Sequence, residues 1–518
     1  MRVIISSGEL LGGTALTKRA DVQCYLGIPF AAPPIGPLRF RAPQPVAAWE
    51  GVLDAHRFRP AAPQNPDPFL AANDYFQPAS SEADCLNLNI WTPRADGQSR
   101  PVMVWIHGGA YLSGSNSVGV NNGAELAATF DVVVVSINYR LGALGYLDLG
   151  HLLGESYQES GNVGILDQIA ALQWVRDNIL FFGGNPANVT IFGESAGGAA
   201  VGTLLGTPRA EGLFHRAIIQ SGTAERARDQ ATSEEATSSF LDAAGLTTAT
   251  ASELLTMSVE RILAAQEAFV IDYSRGVVGL PLPFQPTIDG VVLPVMPLEA
   301  IRLGTNSRVD LLAGTNLNEA SLFTEPMAGD GDSPSIVRQK IERVIQQDHP
   351  SGDLTLLESY ADAARDSLGK EVNDRQLLEA LLTDRLYRQP TNRLLDARAT
   401  SAGANYAYLF TWLSPLYGGR LGACHVLELP FIFRQLHRIE AVSLVGEHAP
   451  QILSDWMSAA WVRFADIGVP GSAALPKWQE YAEPNRLTME LNETPGLRSD
   501  PLGRLREFWH EASVGADR

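Results

Sequence analysis

The chain alternates between short runs of consecutive apolar residues and longer stretches in which apolar positions recur every three or four residues. The first pattern predicts buried strands and the second amphipathic helices. Residues 101–106 read Pro-Val-Met-Val-Trp-Ile, and residues 189–192 read Val-Thr-Ile-Phe. Residues 309–314 and 405–410 repeat the theme later in the chain. Strands apolar on both faces are covered on both faces, as parallel sheets are. Between Arg100 and Gly222 such runs alternate with helical segments, one of them within residues 161–182. The pattern therefore predicts an α/β fold: a mostly parallel central sheet flanked by helices.

The remaining segments fit around that sheet. Residues 1–93 read as β-rich, with many prolines. Residues 232–266 and 333–395 are Ala-, Glu- and Leu-rich helical insertions, expected to form the pocket walls. Residues 452–464 and 501–512 read as amphipathic helices packed on the sheet. The linker-like stretch is residues 326–333, and no internal repeat is visible. This organisation predicts a single domain over residues 1–518.

The chemistry is carried by Gly193-Glu194-Ser195-Ala196-Gly197, which follows a clean strand and precedes a helix-forming run of small residues. Gly-x-Ser-x-Gly in that setting is a nucleophile elbow, with the serine at the tip of a tight turn. Upstream, the strand 101–106 ends in His107-Gly108-Gly109-Ala110. Small residues there let backbone N–H groups approach a developing oxyanion, so Gly109, Ala110 and Ala196 are the expected donors. A serine nucleophile needs a base, and the base an orienting acid, in the chain order Ser, acid, His. Glu319 leaves the carboxyl end of the strand 309–314, where open α/β sheets gather their ligands. Asp310 opens that strand at the other end, and Asp289 reads as a turn residue.

Of the nine histidines, His56, His107 and His151 precede the serine. His215 lies at the amino end of a strand. His349, His437, His448 and His510 stand in polar or helical surroundings. His425 follows the strand 405–410 and a Gly-rich loop, and is the expected base. Cys424, beside it, reads as packing.

With these residues in place the chain resembles the type-B carboxylesterases, which include bacterial para-nitrobenzyl esterases, mammalian carboxylesterases and cholinesterases. The resemblance runs through Gly27-Ile28-Pro29-Phe30, Asp84-Cys85-Leu86-Asn87-Leu88, Asn138-Tyr139-Arg140-Leu141-Gly142, Gly161-Asn162-Val163-Gly164, Phe182-Gly183-Gly184-Asn185-Pro186, the elbow, Gln220-Ser221-Gly222, Asn318-Glu319 and His425-Val426-Leu427-Glu428-Leu429-Pro430-Phe431. It implies an α/β-hydrolase fold. It also implies a serine carboxylesterase working through an acyl-enzyme, with Ser195, Glu319 and His425 as catalytic residues. Ser221 would then bond near the His–Glu pair, and Glu194 would lie near the imidazole. The segment Gly279-Leu280-Pro281-Leu282-Pro283-Phe284 matches the place where relatives line the acyl pocket, which puts Leu280, Leu282 and Phe284 there. A carbamate or amide hydrolase with the same triad is the alternative, and a non-catalytic binding relative a remoter one.

The chain also departs from the family. Asn318-Glu319-Ala320 stands where Asp-Glu-Gly is common. Asn185 replaces an Asp that pairs with the arginine matching Arg140, so Arg140 needs a neutral amide or another carboxylate. Ala62 stands where relatives often carry Cys, which leaves Cys85 without its usual disulfide partner. No Trp occurs in residues 62–84, where cholinesterases hold a quaternary ammonium group. Phe69, Tyr75 and Phe76 are expected to pack that loop.

Composition adds bounds. A net charge of −19 argues against nucleic acid and anionic membranes as partners. Three cysteines, Cys24, Cys85 and Cys424, show no metal-ligand spacing, and the motifs call for no cofactor. Sparse thiols, a short N-terminal apolar run and no bilayer-length stretch predict a cytoplasmic protein, and the resemblance implies a small-molecule ester as its partner. Oligomeric state is not encoded in any of these features.

Overall fold

The computed structural model describes residues 1–66, 78–324, 331–348, 355–369 and 371–516. Five strands come from the N-terminal region: β1 (Arg2–Ile5), β2 (Gly8–Ala15), β3 (Val22–Pro29), β4 (Val52–Ala55) and β5 (Asn87–Thr92). Seven more form the centre: β6 (Arg100–Ile106), β7 (Val133–Ile137), β8 (Gly184–Glu194), β9 (Arg216–Gln220), β10 (Asp310–Asn316), β11 (Asn405–Phe410) and β12 (Leu487–Leu491). A last strand, β13 (Gly496–Ser499), closes the far edge.

The central order is β7-β6-β8-β9-β10-β11-β12, and every neighbouring pair in it is parallel. Antiparallel strands flank it, β5 against β7 and β13 against β12. The strand order reverses at β6, with β7 on one side and β8 on the other. A crevice opens at such a reversal, beyond the carboxyl ends of the strands.

Alternation along the strands builds a core on each face. Met103 and Trp105 join Phe192, Ile218 and Leu312 on one side. Val102, Val104 and Ile106 join Ile191, Ile219 and Leu311 on the other. Each large side chain so buried contributes about 1.5–3 kcal/mol. The crossover helix Val163–Asn178 covers one face, and the helix Gln451–Ile467 covers the other through Trp461, as expected.

Both insertions are helical. The first comprises Gln230–Ala243 and Val259–Tyr273, joined by a 3₁₀ segment, Thr248–Leu255. The second comprises Pro334–Asp348, Thr355–Leu368, Asp374–Thr383 and Gln389–Ala397. The C-terminal helix Gly503–Ala516 does not pack on the sheet as its pattern suggests. Leu505 and Phe508 enter a third core with Ile341, Tyr360 and Leu381 of the second insertion, where Phe508 meets Tyr360 edge-on at 5.1 Å. An amphipathic pattern specifies an apolar face but not its partner. Among the described residues, no helix is long and apolar enough to cross a membrane.

Candidate active site

Strand β8 ends at Glu194, and Ser195 stands alone before the helix Ala196–Leu205. Its backbone lies at φ 58° and ψ −125°, a strained conformation that persists only where its surroundings impose it. The two glycines explain how. A Cβ on Gly193 would sit 2.5 Å from the Gly197 carbonyl, and one on Gly197 would overlap the carbonyl oxygen of Ile106. The turn therefore closes on itself and on the end of β6 with no room for a methyl group.

The loop after β6 leans on this turn. A Cβ on Gly108 would meet the Glu194 carbonyl oxygen at 2.8 Å. Gly109, Ala110 and Tyr111 follow at φ 110°, 56° and 59°. Two non-glycine residues at positive φ mark a built conformation rather than a loose turn. Ala196 is the first residue of its helix, so its N–H has no intrahelical acceptor. Ala110, Ser195 and Ala196 line one cavity.

Three more strands bring polar groups to the same end. Ser221 follows β9, Glu319 follows β10 and His425 follows β11. The Glu319 carboxylate is fixed at both oxygens. Its Oε1 accepts from Ser221 Oγ at 2.6 Å and from the Asn316 N–H at 2.7 Å. Its Oε2 lies 2.7 Å from His425 Nδ1. The backbone N–H of His425 donates to the Glu319 carbonyl at 3.2 Å, tying the two loops together. On the other edge of the ring, His425 Nε2 lies 3.1 Å from Glu194 Oε1. That contact lacks hydrogen-bond alignment, and neither atom has a hydrogen-bond partner among the described residues.

The electrostatics follow from burial among acids. Burial disfavours the imidazolium of His425, but Glu194, Glu319 and Glu428 outweigh it and raise its pKa to about 9. Burial pushes the Glu194 carboxyl well above its usual range, with the His425 charge opposing. Glu428 is raised by burial too, and is held by Asn316 Nδ2 at 2.7 Å and Gln220 Nε2 at 2.9 Å. Trp461 Nε1 donates to the same Gln220 at 3.0 Å, so the network reaches the helix behind the sheet.

Leu280 and Leu282 line the cavity with Ser195, but Phe284 does not. Phe284 turns into the core, where its ring packs 5.4 Å from Phe269 and 6.2 Å from Phe240. The expected pocket position fails because the first insertion offers it an aromatic cluster. Arg228 holds this segment by donating to the Leu282 carbonyl at 2.7 Å.

Sequence reasoning misses Arg226, Leu386 and Tyr387, which line the same cavity. Arg226 lies just beyond the carboxyl end of β9, so strand-end logic could have flagged it. Leu386 and Tyr387 sit in a π-helical turn, Asp384–Arg388. Such turns recur at functional sites but leave no pattern in hydrophobic spacing. Buried Asp384 anchors this one, accepting from Tyr360 Oη at 2.7 Å and Arg388 Nη1 at 2.6 Å. Arg388 in turn donates to the Leu317 carbonyl at 2.7 Å, linking the turn to the Glu319 loop. The Tyr387 ring lies 4.6 Å from that of His425.

The departures also find their places. Arg140 pairs with the buried carboxylate of Asp167, through contacts of 2.8 and 2.7 Å. Asn318 is both donor and acceptor: its amide donates to Glu379 at 3.2 Å, and its oxygen accepts from the Ala423 N–H at 3.2 Å. An Asp could not make the first bond. Asp289 is the turn residue expected, accepting from three successive N–H groups of residues 291–293. Cys24, Cys85 and Cys424 are buried and unpaired, and burial pushes the Cys424 thiol up, away from a reactive thiolate. Phe69, Tyr75, Phe76 and His349 lie outside the described residues. Asp148, His151 and Glu234 bring ligand atoms within 4.8 Å of one another. Gln230 Nε2 already serves two of them, at 2.5 Å from Asp148 and 3.2 Å from Glu234.

Comparison with known proteins places the chain in a family. The model of the carboxylesterase family matches residues 1–509. The para-nitrobenzyl esterase of Bacillus subtilis is 37% identical over 496 residues, covering 95% of each chain. A cocaine esterase of Homo sapiens is 34% identical, over 98% of this chain and 90% of its own. A solved carboxylesterase of Geobacillus stearothermophilus superposes with a TM-score of 0.84 at 36% identity, over 98% of this chain and 99% of its own. The chain therefore belongs to the carboxylesterase family, and is a carboxylic ester hydrolase of the α/β-hydrolase fold.

Proposed function

We propose that ester hydrolysis here runs through Ser195 as nucleophile, His425 as base and Glu319 as orienting acid. One observation carries the assignment: the 2.7 Å contact between Glu319 and His425, buried at the same carboxyl end of the sheet as a serine held in a strained turn. Neutral His425 takes the Ser195 proton as Oγ adds to the ester carbonyl. The N–H groups of Gly109, Ala110 and Ala196 receive the developing oxyanion, each worth about 3 kcal/mol in such sites. His425 then hands its proton to the departing alcohol, leaving an acyl-enzyme. Water, deprotonated by the same imidazole, cleaves that ester and regenerates Ser195. Leu280 and Leu282 are the proposed acyl-side wall, with Glu194 and Ser221 as positioning residues.

The substrate is a small carboxylic ester. A cytoplasmic location belongs to the same proposal, supported by three buried cysteines that remain thiols. The test is Ser195→Ala with an organophosphonate label. Loss of ester turnover with retained fold, and a label on Ser195 in the parent enzyme, are expected. A label on Cys424, or residual turnover in the pure variant, sinks the assignment.

A further inference from the structure

We propose that the cavity beside Ser195 selects esters whose acyl chain ends in a carboxylate, with Arg226 as the group that binds it. The proposal rests on the reading of Ser195 as nucleophile and deepens it to a substrate class: half-esters of short dicarboxylic acids.

Arg226 lines the cavity together with Ser195, Leu280, Leu282 and Tyr387. Its Nη2 donates to the Leu386 carbonyl at 2.9 Å. Among the described residues, no carboxylate lies within ion-pair distance of it. Its chain neighbour Glu225 is engaged by Arg393 through two contacts of 2.7 Å. The buried guanidiniums of Arg39, Arg140 and Arg388 have Glu82, Asp167 and Asp384 respectively. Arg228, which also lacks a carboxylate, turns its Nη2 to the Leu282 carbonyl and Tyr273 Oη.

Burial weakens the hold of Arg226 on its proton. An arginine nevertheless keeps its charge, so the cavity wall carries a cation with no carboxylate in ion-pair contact among the described residues.

A second group points the same way. Tyr387 is 5% exposed, and its Oη has no hydrogen-bond partner among the described residues. Burial holds this phenol well above its ordinary pKa, so it remains an O–H donor. A carboxylate answers both needs, accepting from the guanidinium fork and from the phenol. The same cavity wall carries Leu280, Leu282 and Leu386, which suit the methylenes separating an ester carbonyl from a terminal carboxylate. The chain as a whole carries a charge of −19, so general attraction for anions is not the source of the preference.

The experiment compares proton release from monoethyl glutarate and from ethyl butyrate. The parent enzyme is expected to have the higher kcat/KM for the half-ester. That advantage should fall on the order of tenfold in Arg226→Gln, with part retained in Arg226→Lys. Glutarate should inhibit the parent competitively, glutaramide should not, and high salt should weaken the inhibition. These parent-enzyme measurements stand even if the variants fold poorly. Discrimination by the parent against the half-ester, or equal loss on both esters in Arg226→Gln, overturns the proposal. So does a preference for butyryl glycolate, whose carboxylate lies on the alcohol side. Failure of phosphonate labelling at Ser195 would remove the underlying reading as well, whereas labelled enzyme without half-ester preference removes this proposal alone.

Discussion

Glu194 and Glu319 face each other across the ring of His425, one oxygen 3.1 Å from Nε2 and the other 2.7 Å from Nδ1. Both favour the imidazolium, whereas the base must be neutral to accept the Ser195 proton. The pKa of His425 is raised, to about 9. Activity is therefore expected to climb with pH toward that value and to be lost as pH falls below it. Glu194→Gln removes one charge and should move the ascending limb of kcat/KM down by about one pH unit. A limb at the same pH in the variant would show that Glu194 does not act on the imidazole.

Ser195 and His425 are expected to behave as one unit. Each alanine substitution alone should lower kcat by at least about 10⁴-fold, and the double variant should lose little more. Additive losses on a para-nitrophenyl ester would mean that the two residues serve separate steps.

Leu282 sits on the cavity wall, held by the bond from Arg228 to its carbonyl. Replacing it with Phe fills space now open to the acyl chain. The ratio of butyrate to acetate turnover should fall, since each methylene shut out forfeits up to about 0.8 kcal/mol. An unchanged ratio would take Leu282 out of the acyl pocket.

Glu379 links its helix to the loop that carries Glu319. It accepts from Thr383 Oγ1 at 2.8 Å and from Asn318 Nδ2 at 3.2 Å, and burial raises its pKa to about 7. The folded protein thus binds this proton more tightly than the unfolded chain does. Its contribution to stability is full below the unfolded value and is lost as pH rises to about 7. Glu379→Gln should raise the melting temperature at pH 8 and change it little at pH 4, a difference of up to about 3 kcal/mol. A uniform shift at both values would assign the effect to packing instead.

The chemistry was legible because it sits on strands that announce themselves. Residues 101–106 and 189–192 are apolar and β-branched runs, and short glycine motifs stand at their carboxyl ends. What the chain hides is the meeting of distant segments. Nothing in residues 384–388 signals a π-helical turn, so Tyr387 could not be placed beside His425. Asp167 lies in the crossover helix, and nothing in its spacing marks it as the carboxylate that pairs with Arg140. Phe284 and the C-terminal helix show the same limit from the apolar side: pattern tells that a face is buried, not which neighbour buries it.

The π-helical turn at Asp384–Arg388 makes chain length, beside the identities of Asp384 and Arg388, a quantity this region must conserve. One residue fewer would restore a regular helix and rotate everything after it by about 100°. Leu386 and Tyr387 would swing off the cavity, and Arg388 would lose its reach to Leu317. Substitution at Leu386 can therefore retune the pocket, while a single-residue deletion would dismantle its wall and leave Ser195, Glu319 and His425 untouched in sequence.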